Sequence, residues 1–67
     1  MIVTLNGEPR EVPGGATVAT LVSMLGSRGG RGVAVALGGE VVPRAEWEAT
    51  PISDGAQVEV VAAIQGG

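Results

Sequence analysis

A β-favouring run of mostly apolar residues, followed by a turn dipeptide and a more polar segment, predicts a β-hairpin at the start of the chain. Residues 1–5 are rich in β-favouring side chains, and the Asn6-Gly7 dipeptide that follows them readily adopts the positive φ angles of a type I′ turn. Residues 8–12 then form the predicted return strand. Because Pro9 has no backbone N–H, we expect that strand to lie at the edge of a sheet or to begin at Pro9.

A change of period after Thr17 predicts one amphipathic helix over residues 18–25. Apolar side chains recur there at the i, i+3, i+4 and i+7 positions that form a single helical stripe, namely Val18, Leu21, Val22 and Leu25. The hydroxyl of Thr17 suits an N-cap. Gly26 comes directly after the last stripe residue, where a glycine in the left-handed region commonly closes a helix.

The second half of the chain predicts three more strands and one irregular turn. Residues 33–37 are β-favouring, and Gly38-Gly39 offers a tight turn into residues 40–42. Residues 44–49 are expected to form one irregular helical turn. Residues 56–64 are the longest β-prone stretch, so we expect this strand to be paired on both sides in the middle of the sheet.

This order of elements, β-β-α-β-β-turn-β, predicts an α+β fold in which one helix packs across a mixed five-stranded sheet. We expect one domain spanning residues 1–67, with residues 62–67 as a flexible C-terminal tail. Trp47 is expected to plug the core below the loop that precedes the last strand. The side chains predicted to face the helix are Met1, Val3, Leu5, Val12, the helical stripe, Val35, Val58 and Val60. The alternate positions form an open face of the sheet at Ile2, Thr4, Ala34, Ala36, Glu59 and Val61.

Composition and charge narrow the possible functions. The formal net charge of −3 and the sequence pI of about 4.5 disfavour nucleic acid as a partner, since its phosphates would repel the chain. Cysteine and histidine are absent, so neither the usual zinc ligand sets nor a nucleophile–base pair can be assembled. No apolar run approaches a membrane span, and the N-terminus lacks a basic signal region. We therefore expect a cytoplasmic protein without membrane contact.

The end of the sequence carries the strongest chemical signal. The last predicted strand ends at Ile64, and Gln65, Gly66 and Gly67 follow it directly. Two residues without side chains let an extended tail enter a narrow tunnel, and they leave the final carbonyl carbon open to attack. A frayed terminus without function is the alternative, since chain ends are often disordered. The position of the glycines behind a strand favours the functional interpretation, with Gly67 as the reactive residue.

Three segments together resemble one protein family. The V-P-R-x-x-W element of residues 42–47, the Asp54-Gly55 turn and the terminal Gln65-Gly66-Gly67 look like the thiamine-biosynthesis sulfur carrier family, ThiS. The likeness spans the whole chain and implies a ubiquitin-like β-grasp fold. The V-P-R-x-x-W element is the specific part, because the Gly-Gly end is shared with molybdopterin-synthase small subunits and with ubiquitin.

The ThiS resemblance implies a carrier that other enzymes act upon, and not an enzyme. A ThiF-like, E1-like enzyme would adenylate the Gly67 carboxylate with ATP, a persulfide donor would supply sulfur to form a thiocarboxylate, and a ThiG-like thiazole synthase would take that sulfur. No cofactor is expected to stay bound, since the partner enzyme uses the ATP. For docking we favour the open face around Val61, Ala36 and Ile2, with residues 62–67 as the arm that enters the partner active sites.

Three alternative functions remain open at this point. The chain could carry sulfur for molybdopterin or another cofactor, it could be conjugated to lysines of target proteins as ubiquitin is, or it could be an interaction domain with an inert tail. Only the V-P-R-x-x-W element argues against the first alternative. The third differs from the others in that ATP and an E1-like partner would never modify the terminus.

Overall fold

The chain folds into five strands, one α-helix and one 3₁₀ helix in the predicted order. The computed structural model describes residues 1–26 and 32–62, and for Ala62 the backbone alone. The elements are β1 (Ile2–Leu5), β2 (Glu8–Glu11), α1 (Val18–Met24), β3 (Val33–Leu37), β4 (Glu40–Val41), the 3₁₀ helix (Arg44–Ala49) and β5 (Gln57–Ala62). β5 therefore includes Ala62, the first residue of the predicted tail, whereas residues 63–67 lie outside the described residues.

The strands form one mixed sheet in the order β2-β1-β5-β3-β4. β5 runs parallel to β1 and antiparallel to β3, so the prediction that the last strand lies in the middle of the sheet is confirmed. β2 pairs with β1 alone, and Pro9 stands in this edge strand opposite Thr4. An edge strand is the place in a sheet where a residue without a backbone N–H is tolerated, as predicted.

The first hairpin is built as its sequence indicates. Asn6 has a φ of 51° and Gly7 a φ of 84°, so both central residues of the turn are left-handed. Two such residues make a type I′ turn, whose twist matches that of the two flanking strands. The turn leads the chain away from the β1 direction directly after Leu5, so β1 provides no strand partner for the part of β5 beyond Val58.

Helix α1 begins at a threonine cap and ends before a left-handed glycine. The Thr17 hydroxyl accepts a hydrogen bond from the Thr20 backbone N–H at 3.3 Å, and the Thr20 hydroxyl accepts one from the Thr17 N–H at 3.1 Å. These two bonds form a capping box and satisfy donors that the first helical turn leaves free. Gly26 follows with a φ of 76°. Neither helix in the described ranges is long and apolar enough to cross a membrane.

The core lies between α1 and the inner face of the sheet. Val3, Leu21 and Val58 are fully or almost fully buried, as predicted. Met1, Leu25 and Val60 pack against the core but are only partly buried. Leu25 lies at the end of the helix, and Val60 lies on β5 beyond the last residue of β1, so neither has a neighbour on every side. The buried apolar residues are Val3, Leu5, Val12, Ala16, Val18, Leu21, Val22, Val35, Val42, Trp47, Ile52 and Val58.

Irregular segments supply a part of the core that hydrophobic periodicity did not predict. Ile52 is 5% exposed and Ala16 is 3% exposed. The Ile52 N–H donates to the Ala16 carbonyl at 3.0 Å, and Thr17 forms an isolated bridge with Pro51. The segment after the 3₁₀ helix therefore pairs with the segment before α1, and both bury one apolar side chain without belonging to a regular element.

Trp47 closes the core beside α1, as predicted. The side chain is 6% exposed, and its indole N–H donates to the Val42 carbonyl at 2.8 Å. This bond gives the buried indole nitrogen a partner, which a desolvated donor requires. The guanidinium of Arg44 lies 5.9 Å from the centre of the Trp47 ring, within the range of a cation–π contact.

Candidate functional site

The candidate site begins where β5 ends. Gly67, Gly66, Gln65 and Ile64 lie outside the described residues. β5 brings the chain to Ala62, so four residues, 63–66, separate the sheet from Gly67, the last residue of the sequence. The geometry that bears on the site is therefore the environment of the last residues of β5.

The two edges of β5 are held differently near its end. On the β3 side the backbone ladder continues to the last residue, since Val33 pairs with Ala62 and Ala34 with Val61. On the β1 side the last pair is Leu5 with Val58, after which the chain turns away into β2. Without a further partner on that side, the N–H and C=O of Val60 would face solvent unpaired by the protein.

A side chain supplies that partner. The Asn6 backbone N–H donates to the Val58 carbonyl at 2.9 Å. The Asn6 side-chain Oδ1 accepts from the Val60 N–H at 2.9 Å, and Nδ2 donates to the Val60 carbonyl at 3.1 Å. The sequence predicted Asn6 only as a turn residue. No local signal could have indicated these bonds, because the partners are 54 positions apart.

Four residues form an apolar patch at this end of the open sheet face. Val61 lies directly opposite Ala34, and Ala36 lies between Glu59 on β5 and Val41 on β4. Val61 is 57% exposed and Val41 is 74% exposed, while both alanines are partly buried. We call Ala34, Ala36, Val41 and Val61 the open-face patch. The structure thus places two of the predicted docking residues, Val61 and Ala36, side by side.

The third predicted docking residue, Ile2, lies at the opposite end of the sheet. Its side chain is 48% exposed and on the same face, but its carbonyl accepts from the Gly55 N–H, six positions before Val61 on the neighbouring chain segment. At about 3.3 Å per residue, that offset corresponds to about 20 Å along the strand. Ile2 is therefore not part of the open-face patch.

The acidic side chains of the described residues form no cluster that could hold a metal ion, and one of them, Glu59, lies beside the patch. Glu59 is exposed and lies on the open face next to the patch. The other carboxylates are also exposed, at Glu8, Glu11, Glu40, Glu46, Glu48 and Asp54. Within the described ranges, no group of three or more acidic side chains is arranged to hold a metal ion. Glu59 consequently gives this end of the sheet one negative charge beside an otherwise apolar surface.

Comparison with known proteins agrees with this architecture. The family model described as ThiS family matches residues 3–67. The crystal structure of a thiamine biosynthesis protein (ThiS) from Geobacter metallireducens has 36% sequence identity and a TM-score of 0.86, with 100% of both chains covered. An NMR structure of a thiamine biosynthesis protein from Geobacter metallireducens has 38% identity and a TM-score of 0.80, covering 100% of this chain and 88% of the other. A comparison with curated proteins gave no match. The match over nearly the whole sequence and the shared β-grasp sheet show that this chain belongs to the ThiS family.

Proposed function

We propose that this chain is a sulfur carrier for the thiazole moiety of thiamine, and that the carboxylate of Gly67 carries the sulfur. The observation that supports this proposal most is the combination of ThiS family membership with a Gln65-Gly66-Gly67 end that follows the central strand of the sheet. In this role the protein is a co-substrate of other enzymes. The chemistry takes place on its main chain.

The proposed activation needs ATP because the terminal carboxylate is a poor electrophile. A free α-carboxyl is ionised at neutral pH, and its negative charge repels nucleophiles. A ThiF-like enzyme would let a carboxylate oxygen of Gly67 attack the α-phosphorus of ATP, so that pyrophosphate leaves and an acyl-adenylate forms. The persulfide of a sulfur donor would then attack the carbonyl carbon, and AMP would leave.

The resulting acyl disulfide is opened by a thiol. That thiol attacks the sulfur of the donor, a disulfide forms between thiol and donor, and the thiocarboxylate remains on Gly67. A ThiG-like thiazole synthase then receives the sulfur. Glycine suits both steps, since it leaves the carbonyl carbon unhindered and fits a narrow active-site channel. We place the cycle in the cytoplasm, where ATP is supplied.

We further propose that the open-face patch is the docking surface for these partners. A standard interface covers about 800 Å² on each partner, which is a disc of about 30 Å across. A footprint centred on Val61 and Ala36 would therefore extend about 15 Å from its centre, and Ile2, at about 20 Å along the strand direction from Val61, would lie outside it. The patch adjoins the end of β5, so a partner docked there would also meet residues 63–67, which are the arm of the carrier in this proposal.

Intact-protein mass spectrometry tests the proposed function. The purified chain is incubated with ATP, sulfide and the ThiF-like enzyme of its own host. We expect a mass increase equal to the replacement of one oxygen by one sulfur, and no such change after deletion of Gly67 or fusion of a tag behind it. Both variants should keep the circular dichroism spectrum of the parent, because residues 63–67 follow the last core residue.

The result also separates the competing functions. Full sulfur loading of the tagged protein would contradict the role of Gly67. Loaded carrier that serves a molybdopterin synthase but not a ThiG-like thiazole synthase would contradict the proposed acceptor. Transfer of the entire chain to lysines of other proteins would indicate a protein modifier instead.

A further inference from the structure

The side chain of Asn6 takes the place of a strand residue. In a parallel ladder, the residue after Leu5 would donate to Val58 and accept from Val60 through its own peptide groups. The Asn6 N–H does donate to the Val58 carbonyl, but the backbone of Asn6 is left-handed, with a φ of 51°, and leaves the strand conformation at this residue. The side-chain amide, which carries the same donor and acceptor as a peptide group, supplies the missing acceptor for the Val60 N–H and in addition donates to the Val60 carbonyl, as the next strand residue would have done.

Both bonds require an amide side chain of this length. The Val60 N–H needs an acceptor and the Val60 carbonyl needs a donor, and the asparagine amide provides one of each in a single plane. Aspartate would offer only acceptors and would place a negative charge against the carbonyl oxygen. Glycine would keep the left-handed turn but would offer neither group. Position 6 therefore needs a residue that tolerates a positive φ and, independently, a side chain that can both donate and accept a hydrogen bond.

Asn6 is also the last described contact on its side of β5. Beyond Val60 come Val61, which belongs to the open-face patch, and Ala62, which is held through the β3 side by its pairing with Val33. The four residues that lead to Gly67 follow directly in the sequence. The two bonds of Asn6 therefore act on β5 two residues before its end.

We propose that Asn6 is a positioning residue of the carrier, which fixes the end of β5 so that the open-face patch is presented to a partner enzyme in one orientation. This inference rests on the proposed function. Binding is weaker when a segment must be ordered at the moment of association, and an element held beforehand avoids that cost. Loss of Asn6 should therefore weaken productive encounter with the adenylating enzyme without changing the chemical step.

The test compares Asn6→Gly with two other variants. Asn6→Gly keeps the positive φ of the turn and removes both side-chain bonds. Asn6→Asp keeps only the acceptor for the Val60 N–H. Val12→Ala is the control for general loss of stability, because Val12 is 2% exposed in the core and makes no contact with the end of β5 among the hydrogen bonds described. All four proteins are assayed well below their melting temperatures.

Two readouts separate positioning from simple stability. Amide hydrogen exchange by NMR should become roughly tenfold faster, or more, at Val60 in Asn6→Gly relative to amides of α1. In pyrophosphate release by the ThiF-like enzyme, the KM for the carrier should rise roughly tenfold with kcat unchanged, as expected for two lost hydrogen bonds. Asn6→Asp should show an intermediate KM. Val12→Ala should lower the melting temperature and leave the KM as it is.

The outcomes distinguish this inference from the proposed function. Pyrophosphate release by the parent protein, together with an unchanged KM for Asn6→Gly, would overturn the positioning role and leave the carrier function standing. An equal rise in KM for Val12→Ala would also overturn it, since general destabilisation would then explain the effect. Absence of pyrophosphate release with the parent protein would overturn the carrier function and this inference with it.

Discussion

The docking proposal is tested most directly by placing a charge on the open-face patch. Val61→Asp replaces an exposed apolar side chain at the end of β5 with a carboxylate. Ser23→Asp is the matched control, because it adds the same charge on the exposed side of α1, on the other layer of the domain. Both variants carry one negative charge more than the parent net charge of −3.

The expected loss of affinity follows from the exposure of Val61. The side chain is 57% exposed, so its complete burial by a partner contributes about 1 kcal/mol, or slightly more than half of the value for a whole valine. An unpaired carboxylate at the same place would cost a further 1–3 kcal/mol or so. The sum of about 2–4 kcal/mol corresponds to a Kd that is roughly 30- to 1,000-fold weaker.

The folded state should tolerate the change. Aspartate is a poor strand residue, and the exchange in β5 costs about 1 kcal/mol. Repulsion from Glu59, two positions away on the same face, adds about 0.6 kcal/mol at a separation of about 7 Å in water. A domain of 67 residues has about 3–10 kcal/mol of stability, so the variant should be folded at 25 °C.

Isothermal titration calorimetry of parent, Val61→Asp and Ser23→Asp against the ThiF-like enzyme measures the difference. All titrations are run at one ionic strength, since long-range repulsion between charges depends on salt. We expect weak or undetectable binding for Val61→Asp and parent-like affinity for Ser23→Asp. Equal Kd values for all three proteins would remove the open-face patch from the docking surface and leave recognition to the terminal segment.

Two predictions concern the core. Leu21→Ala, at a fully buried position of α1, should lower the free energy of unfolding by about 2–5 kcal/mol in urea titrations, whereas Ser23→Ala on the exposed side should change it by less than about 0.5 kcal/mol. An unchanged unfolding midpoint for Leu21→Ala would show that the helix does not pack as described. Trp47→Phe removes the indole N–H that donates to the Val42 carbonyl and should lower the free energy of unfolding by about 1–3 kcal/mol. Unfolding is monitored by circular dichroism, because Trp47 is the only aromatic side chain of the sequence and its fluorescence is lost in the variant. A loss below about 0.5 kcal/mol would mean that this bond contributes little.

Much of the fold was predictable because the decisive signals are local. The Asn6-Gly7 turn depends on two residues that tolerate positive φ, and the start of α1 depends on the hydroxyl of Thr17. The length and the valine-rich composition of residues 56–64 predicted the central place of β5, since β-branched side chains favour a strand packed within a sheet. For the turn and the helix start, the cause and its effect lie within a few residues of sequence.

The core residues that the sequence did not predict are buried by contacts between distant segments of the chain. Ile52 and Ala16 lie in irregular segments, so no periodic pattern marks them, and they are buried because the two segments pair with each other. Val42 comes at the end of the second hairpin, and its side chain is buried. Its carbonyl accepts a hydrogen bond from the indole N–H of Trp47. Such burial depends on contacts between segments distant in sequence, which a local pattern does not contain.

The sequence by itself determined the elements, the sheet of five strands and the chemistry proposed for Gly67, because these depend on local conformation and on the chemical nature of a main-chain terminus. Only the tertiary structure decided which surface residues lie together. The parallel register of β1 with β5 separates Ile2 from Val61 by about 20 Å and brings Asn6 to Val60. No turn joins these two strands, so packing of the whole domain sets their register, and that register determines which residues adjoin the end of β5.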